Sequence, residues 1–103
     1  MSNLYDSEDI KKLGKVGAGA PKAWETFLAF DKAALGDGAI PKKYKELMAL
    51  AVALTTQCPY CLAIHKDNAA KAGATAEEIS ETVFIAAALR AGAAVTHGTH
   101  LMG

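Results

Sequence analysis

Two unbroken apolar runs, Leu47–Leu54 and Val83–Leu89, constrain the fold of this chain more than any other feature. Neither alternates with a period of two, and neither leaves a polar stripe at helical spacing, so each reads as an element that is hydrophobic on all sides. The chain is 51% hydrophobic and only 7% aromatic, with alanine supplying much of the apolar content, which favours packed helices over a sheet. At 103 residues it reads as one domain, 1–103. So short a chain has few other elements with which to cover both runs. A subunit interface made of these helices is the favoured solution, and the competing one is a single bundle in which alanine faces pack closely.

Charge and termini remove several classes of function. Eleven basic residues balance eleven acidic ones, with no run of five like charges, so the electrostatic footprint of a nucleic-acid or anionic-membrane binder is missing. Met1–Lys15 lacks the basic start and apolar centre of a signal peptide. No apolar run reaches the roughly 18 residues of a membrane span without interruption. The expected compartment is the cytoplasm, with no nucleic-acid and no membrane partner. There a close pair of cysteines is redox-active or metal-binding rather than a structural disulfide.

Proline, glycine and capping residues divide the chain into about five helices. Ser7 is placed to cap a short first helix that runs to about Lys15, and Gly14–Ala20 reads as a loop. Pro21 opens a second helix, with Trp24, Phe27, Leu28 and Leu35 able to share a face, and Gly36-Asp37-Gly38 closes it. A third helix runs from Pro41 to about Gln57. The fourth starts at Cys58 or Pro59 and ends at Gly73. Thr75 and Glu78 form a capping box for the fifth, which continues to about Val95.

Both cysteines lie in Cys58-Pro59-Tyr60-Cys61, at the predicted start of the fourth helix. With Cys58 as N-cap, Pro59 takes the first helical position, and both sulfurs fall in the first turn. Unpaired N–H groups and the helix dipole stabilise a thiolate there, and a thiolate is the reactive form of the thiol. Residues three apart on a helix are about 5–6 Å from each other, close enough for a disulfide to form with little backbone movement. His65 falls four residues after Cys61 on the same face. An imidazole is the side chain suited to exchanging a thiol proton near neutral pH. Glu46, twelve residues before Cys58, has two equal readings. It follows Lys42, Lys43 and Lys45 and so fits a solvated first turn, yet its face continues into Ala49, Leu50 and Ala53, where a carboxylate would seek a partner such as His65.

Glu46, eleven intervening residues, Cys58, two more, Cys61, three more and His65 together resemble the signature of the alkylhydroperoxidase D branch of the carboxymuconolactone decarboxylase superfamily. The resemblance covers roughly Pro41 to Val95. It implies an all-α, alkylhydroperoxidase D-like subunit that assembles into homo-trimers or homo-hexamers and reduces peroxides without a cofactor. By that likeness Cys61 is the peroxidatic thiol, Cys58 the resolving one, and Glu46 with His65 a proton relay to Cys61. The partners it implies are a hydroperoxide substrate and a dithiol reductant, either a lipoyl group or a thioredoxin-like protein. Helix-start geometry alone would instead make Cys58 the more exposed and acidic thiol. The best-studied branch has a histidine beside the second cysteine. Tyr60 stands there in this chain, and a phenol does not exchange protons at neutral pH as an imidazole does.

The expected activity is that of a thiol-dependent peroxidase. Two other classes compete with it. One is a general dithiol–disulfide oxidoreductase or a redox-sensing helical oligomer. The other is a zinc module in which Cys58, Cys61 and His65 are joined by His97 or His100.

Overall fold

A computed structural model describes residues 6–103, and among them every regular element is helical. Of the N-terminal stretch read for targeting, residues 1–5 lie outside the described residues. The helices are α1 (Leu13–Gly19), α2 (Pro21–Leu35), α3 (Lys42–Thr56), α4 (Pro59–Lys71) and α5 (Ala76–His97), with 3-10 turns at Ser7–Lys12 and Gly98–Leu101. This is the all-α architecture expected of the sequence. The described residues fall into two compact units, one ending at Lys42 and the other spanning Lys43–Gly103.

The first unit departs from expectation in two places. Asp6, not Ser7, is the N-cap of the opening turn, and its carboxylate accepts the Glu8 N–H at 3.0 Å. The stretch Gly14–Ala20, read above as a loop, is helical through Gly19. Each helical glycine costs about 1 kcal/mol relative to alanine. Tertiary packing offsets that cost here, because Gly17 is buried at a point where a Cβ would run into the Trp24 indole. Pro21 then starts α2 as predicted. Trp24 stacks on Phe27 with ring centroids 5.9 Å apart, so the expected aromatic face forms, although Phe27 and Leu28 remain exposed. Lys42 donates its backbone N–H to Asp37 Oδ1 at 2.7 Å, so an aspartate supplies an acceptor for a first-turn N–H at the start of α3.

The second unit carries the chemistry. Its buried positions are Glu46, Leu50 and Ala53 on α3, Ala69 on α4, and Thr82 and Ala86 on α5. Glu46, Leu50 and Ala53 follow an i, i+4, i+7 stripe, and Thr82 and Ala86 an i, i+4 pair, so each helix buries one narrow face. Two polar contacts join α3 to α5. Arg90 donates to the Thr55 carbonyl at 3.0 Å near the end of α3, and Lys43 pairs with Glu78 at 3.0 Å at its start. The Thr75–Glu78 capping box forms as predicted, with both reciprocal hydrogen bonds in place.

Most of each apolar run lies outside this core. Met48 and Val52 on α3 are exposed, as are Val83, Phe84, Ile85 and Leu89 on α5, with Phe84 at 73% and Leu89 at 66%. Within the second unit, neither run is covered on all sides. The segment Ala76–Leu101 has the length and composition of a membrane-crossing helix, with Arg90 inside it. Such a segment equally suits a helix that another protein surface covers.

Candidate active site

The turn between α3 and α4 sets the position of the cysteines. α3 ends where Gln57 turns into the left-handed region at φ 57°, and the Cys58 N–H reaches back to the Ala53 carbonyl at 3.1 Å. This reversal delivers Cys58 in extended conformation as the N-cap of α4, followed by Pro59 at the first helical position. Cys58 Sγ accepts the Cys61 N–H at 3.2 Å, as a capping side chain does. The two cysteines are joined in a disulfide with a Cα–Cα distance of 5.3 Å. That separation is ordinary for a bridged pair. The three-residue spacing at a helix start therefore brings the sulfurs together as the sequence anticipates.

His65 follows one turn further along the same face of α4. Its Nδ1 lies 2.6 Å from Glu46 Oε2, across from α4 to α3. The Glu46 side chain is 0% exposed and that of His65 is 17% exposed. Of the two readings of Glu46, the structure selects the buried one. Its face turns inward with Leu50 and Ala53, and the lysines around it do not carry it into solvent. An ionised carboxylate only accepts hydrogen bonds, so Nδ1 is the ring nitrogen that donates in this pair. The arrangement holds the imidazole in one orientation on the helix that carries the redox pair.

Tyr60 occupies the second position of α4, half-buried. His97 and His100 meet edge to face with ring centroids 5.5 Å apart at the end of α5. Among the described residues, no group of three or more His, Cys, Asp or Glu side chains comes together as metal ligands would.

Lys43 and Glu78 escaped the sequence reading as a pair. From the sequence alone Lys43 stands among its lysine neighbours, and Glu78 has only the capping box as its role. Glu78 does both jobs, with Oε1 accepting the Thr75 N–H at 2.9 Å and Oε2 facing Lys43 Nζ. The Thr75 N–H, and after it the Lys43 ammonium, hold the Glu78 carboxyl below its ordinary range, while the hydrogen bond to Glu78 raises Lys43 above its own. The overlooked signal was the spacing of three that puts Lys43 on the Glu46 face.

Residues 21–102 match the sequence profile of the carboxymuconolactone decarboxylase family. A Paracoccus denitrificans protein named uncharacterized protein 4 in cox locus is 44% identical over 97 residues, covering 94% of this chain and 87% of that protein. The apo crystal structure of a carboxymuconolactone decarboxylase family protein from Legionella pneumophila superposes with a TM-score of 0.76 at 38% identity, covering 81% of this chain and 75% of that one. The crystal structure of a protein from Methanobacterium thermoautotrophicum superposes at 0.81 with 27% identity, covering 87% and 98%.

Proposed function

The chain belongs to the carboxymuconolactone decarboxylase family, and from that membership and the geometry of its redox pair we propose that it is a thiol-dependent peroxidase of the alkylhydroperoxidase D type. The observation that carries the proposal is the 2.6 Å contact between fully buried Glu46 and His65, on the helix whose first turn holds Cys58 and Cys61. A histidine oriented by a carboxylate and placed one turn beyond a cysteine is the arrangement that activates a thiol.

In the reduced protein, Cys61 gives its proton to His65 Nε2 while Nδ1–H stays on Glu46. The resulting thiolate attacks the terminal oxygen of a hydroperoxide. The O–O bond breaks, the alkoxide takes the proton back from the imidazolium, and Cys61 becomes a sulfenic acid. Cys58 then attacks the sulfenic sulfur and water leaves, which closes the Cys58–Cys61 disulfide. An external dithiol, a lipoyl group or a thioredoxin-like protein, reopens it by exchange and is itself oxidised. No cofactor enters the cycle. The exposed apolar side chains of α5 fit an interface between copies of the chain, which by the family likeness is that of a homo-trimer or homo-hexamer in the cytoplasm, and light scattering tests the assembly.

The deciding experiment is the second-order rate at which the reduced protein loses two thiols to hydrogen peroxide and to an organic hydroperoxide at pH 7. A rate far above that of free cysteine is expected, ending in the Cys58–Cys61 disulfide. Cys61→Ser should abolish peroxide consumption, and Cys58→Ser should leave one turnover that stops at sulfenic acid. A rate like that of free cysteine would sink the peroxidase reading. It would favour the second one, dithiol–disulfide exchange, for which Tyr60 in the place of a second histidine already argues.

A further inference from the structure

We infer that Lys43 is a positioning residue for the Glu46–His65 pair, held in place by Glu78 of the α5 capping box. Lys43 and Glu46 are three residues apart in the first turns of α3 and so lie on one face. Lys43 Nζ meets Glu78 Oε2 at 3.0 Å, and Glu46 Oε2 meets His65 Nδ1 at 2.6 Å, so consecutive turns of α3 are tied to α5 and to α4 in succession. Glu78 is itself fixed, because Oε1 accepts the Thr75 N–H at 2.9 Å and the Glu78 N–H returns to Thr75 Oγ1 at 3.1 Å. Thr82 Oγ1 adds a bond to the Glu78 carbonyl at 2.8 Å. A carboxylate locked at a capped helix start is a rigid anchor for an ammonium group.

The geometry of Glu46 gives this tie its importance. A buried carboxylate works on an imidazole only over a few tenths of an ångström, and catalytic groups need that precision from their supporting side chains. The start of α3 is built from Lys42, Lys43, Tyr44 and Lys45, none of which is fully buried. Packing at Leu50 and Ala53 fixes α3 further along, while the first turn depends on polar contacts. Lys43 makes such a contact on the Glu46 side of that turn, and its ammonium also lies over the Tyr44 ring at 5.0 Å. The side chains of Lys43 and Glu78 are 28% and 29% exposed, so water screens the pair, and its role is to set direction more than to stabilise.

The role rests on the proposed relay, and the test separates the two. The proton between His65 Nδ1 and Glu46 is followed by proton NMR in the parent protein, Lys43→Met, Lys43→Arg and Glu78→Gln, alongside the rate of peroxide-driven thiol loss. The expected result is an upfield shift of that resonance in Lys43→Met and a rate lowered about tenfold or more, with Lys43→Arg restoring both. Glu78→Gln keeps an acceptor for the Thr75 N–H but loses the charge, and it should shift the resonance in the same direction. It decides the matter if Lys43→Met fails to fold by circular dichroism. A resonance that stays in place in folded Lys43→Met or Glu78→Gln overturns the inference whatever the rate does. A parent rate no better than free cysteine overturns the peroxidase reading, and the resonance still decides for or against Lys43.

Discussion

Replacing His65 by alanine removes a hydrogen bond from a carboxylate that has no contact with solvent, and the burial of the two partners sets the cost. A hydrogen bond to an ionised group contributes about 1.5–3 kcal/mol, and the upper half applies where water cannot take the lost partner's place. Glu46 is 0% exposed and meets that condition, so His65→Ala should destabilise the protein by about 2–3 kcal/mol. His65 is 17% exposed and can be partly rehydrated. Glu46→Gln also keeps an acceptor oxygen, so that change should cost only about 1 kcal/mol. Combined, the two substitutions act on the same interaction, and their costs should fall short of adding by about 1 kcal/mol, the cost of the smaller change. Urea denaturation of the parent, both single variants and the double variant, at pH 7 and one protein concentration, measures the cycle. Costs that add to within about 0.5 kcal/mol would mean that the 2.6 Å contact contributes no coupling, and the reasoning from burial would be refuted.

Three further outcomes follow from the same structure. Gly17→Ala forces the Trp24 indole to move, which should cost about 1–3 kcal/mol and shift the emission of the protein's one tryptophan; an unchanged spectrum would contradict the buried contact. Gly73 holds φ 93° at the end of α4, so Gly73→Ala should lower stability by about 1 kcal/mol or more in thermal melts, whereas a neutral change would mean that the turn relaxes. The Lys43–Glu78 pair should give a stability difference between the parent and Lys43→Met that depends on pH. Because the folded Glu78 carboxyl lies below its ordinary value, its contribution is present above about pH 4.3 and is lost as pH falls through the lowered folded value. Because the folded Lys43 amine lies above its own, its contribution is present below about pH 10.4 and is lost as pH rises through the raised value. A difference that persists unchanged at both extremes would argue against the pair.

Helices α2 to α5 and the redox pair were legible from the chain because their determinants are local. Proline at the start of α2 and α4, the Thr75–Glu78 box and the Gly73 turn act within a few residues of themselves, and adjacency of Cys58 and Cys61 follows from one helical turn. The glycine-rich stretch before Pro21 was misread for the same reason, since local propensity disfavours a helix there and only the Gly17 contact with Trp24 reverses it. Glu46 was undecided between water and the interior, because a helix face bordered by lysines fits both. The choice was made by His65, nineteen residues away, once α3 and α4 had brought the two within 2.6 Å. Lys43 and Glu78, and Arg90 and Thr55, are likewise partners only across separate helices. Covalent neighbours and helical period determined the elements and the cysteine pair, whereas burial and the contacts between distant side chains, which depend on how whole helices pack, were decided by the tertiary structure alone.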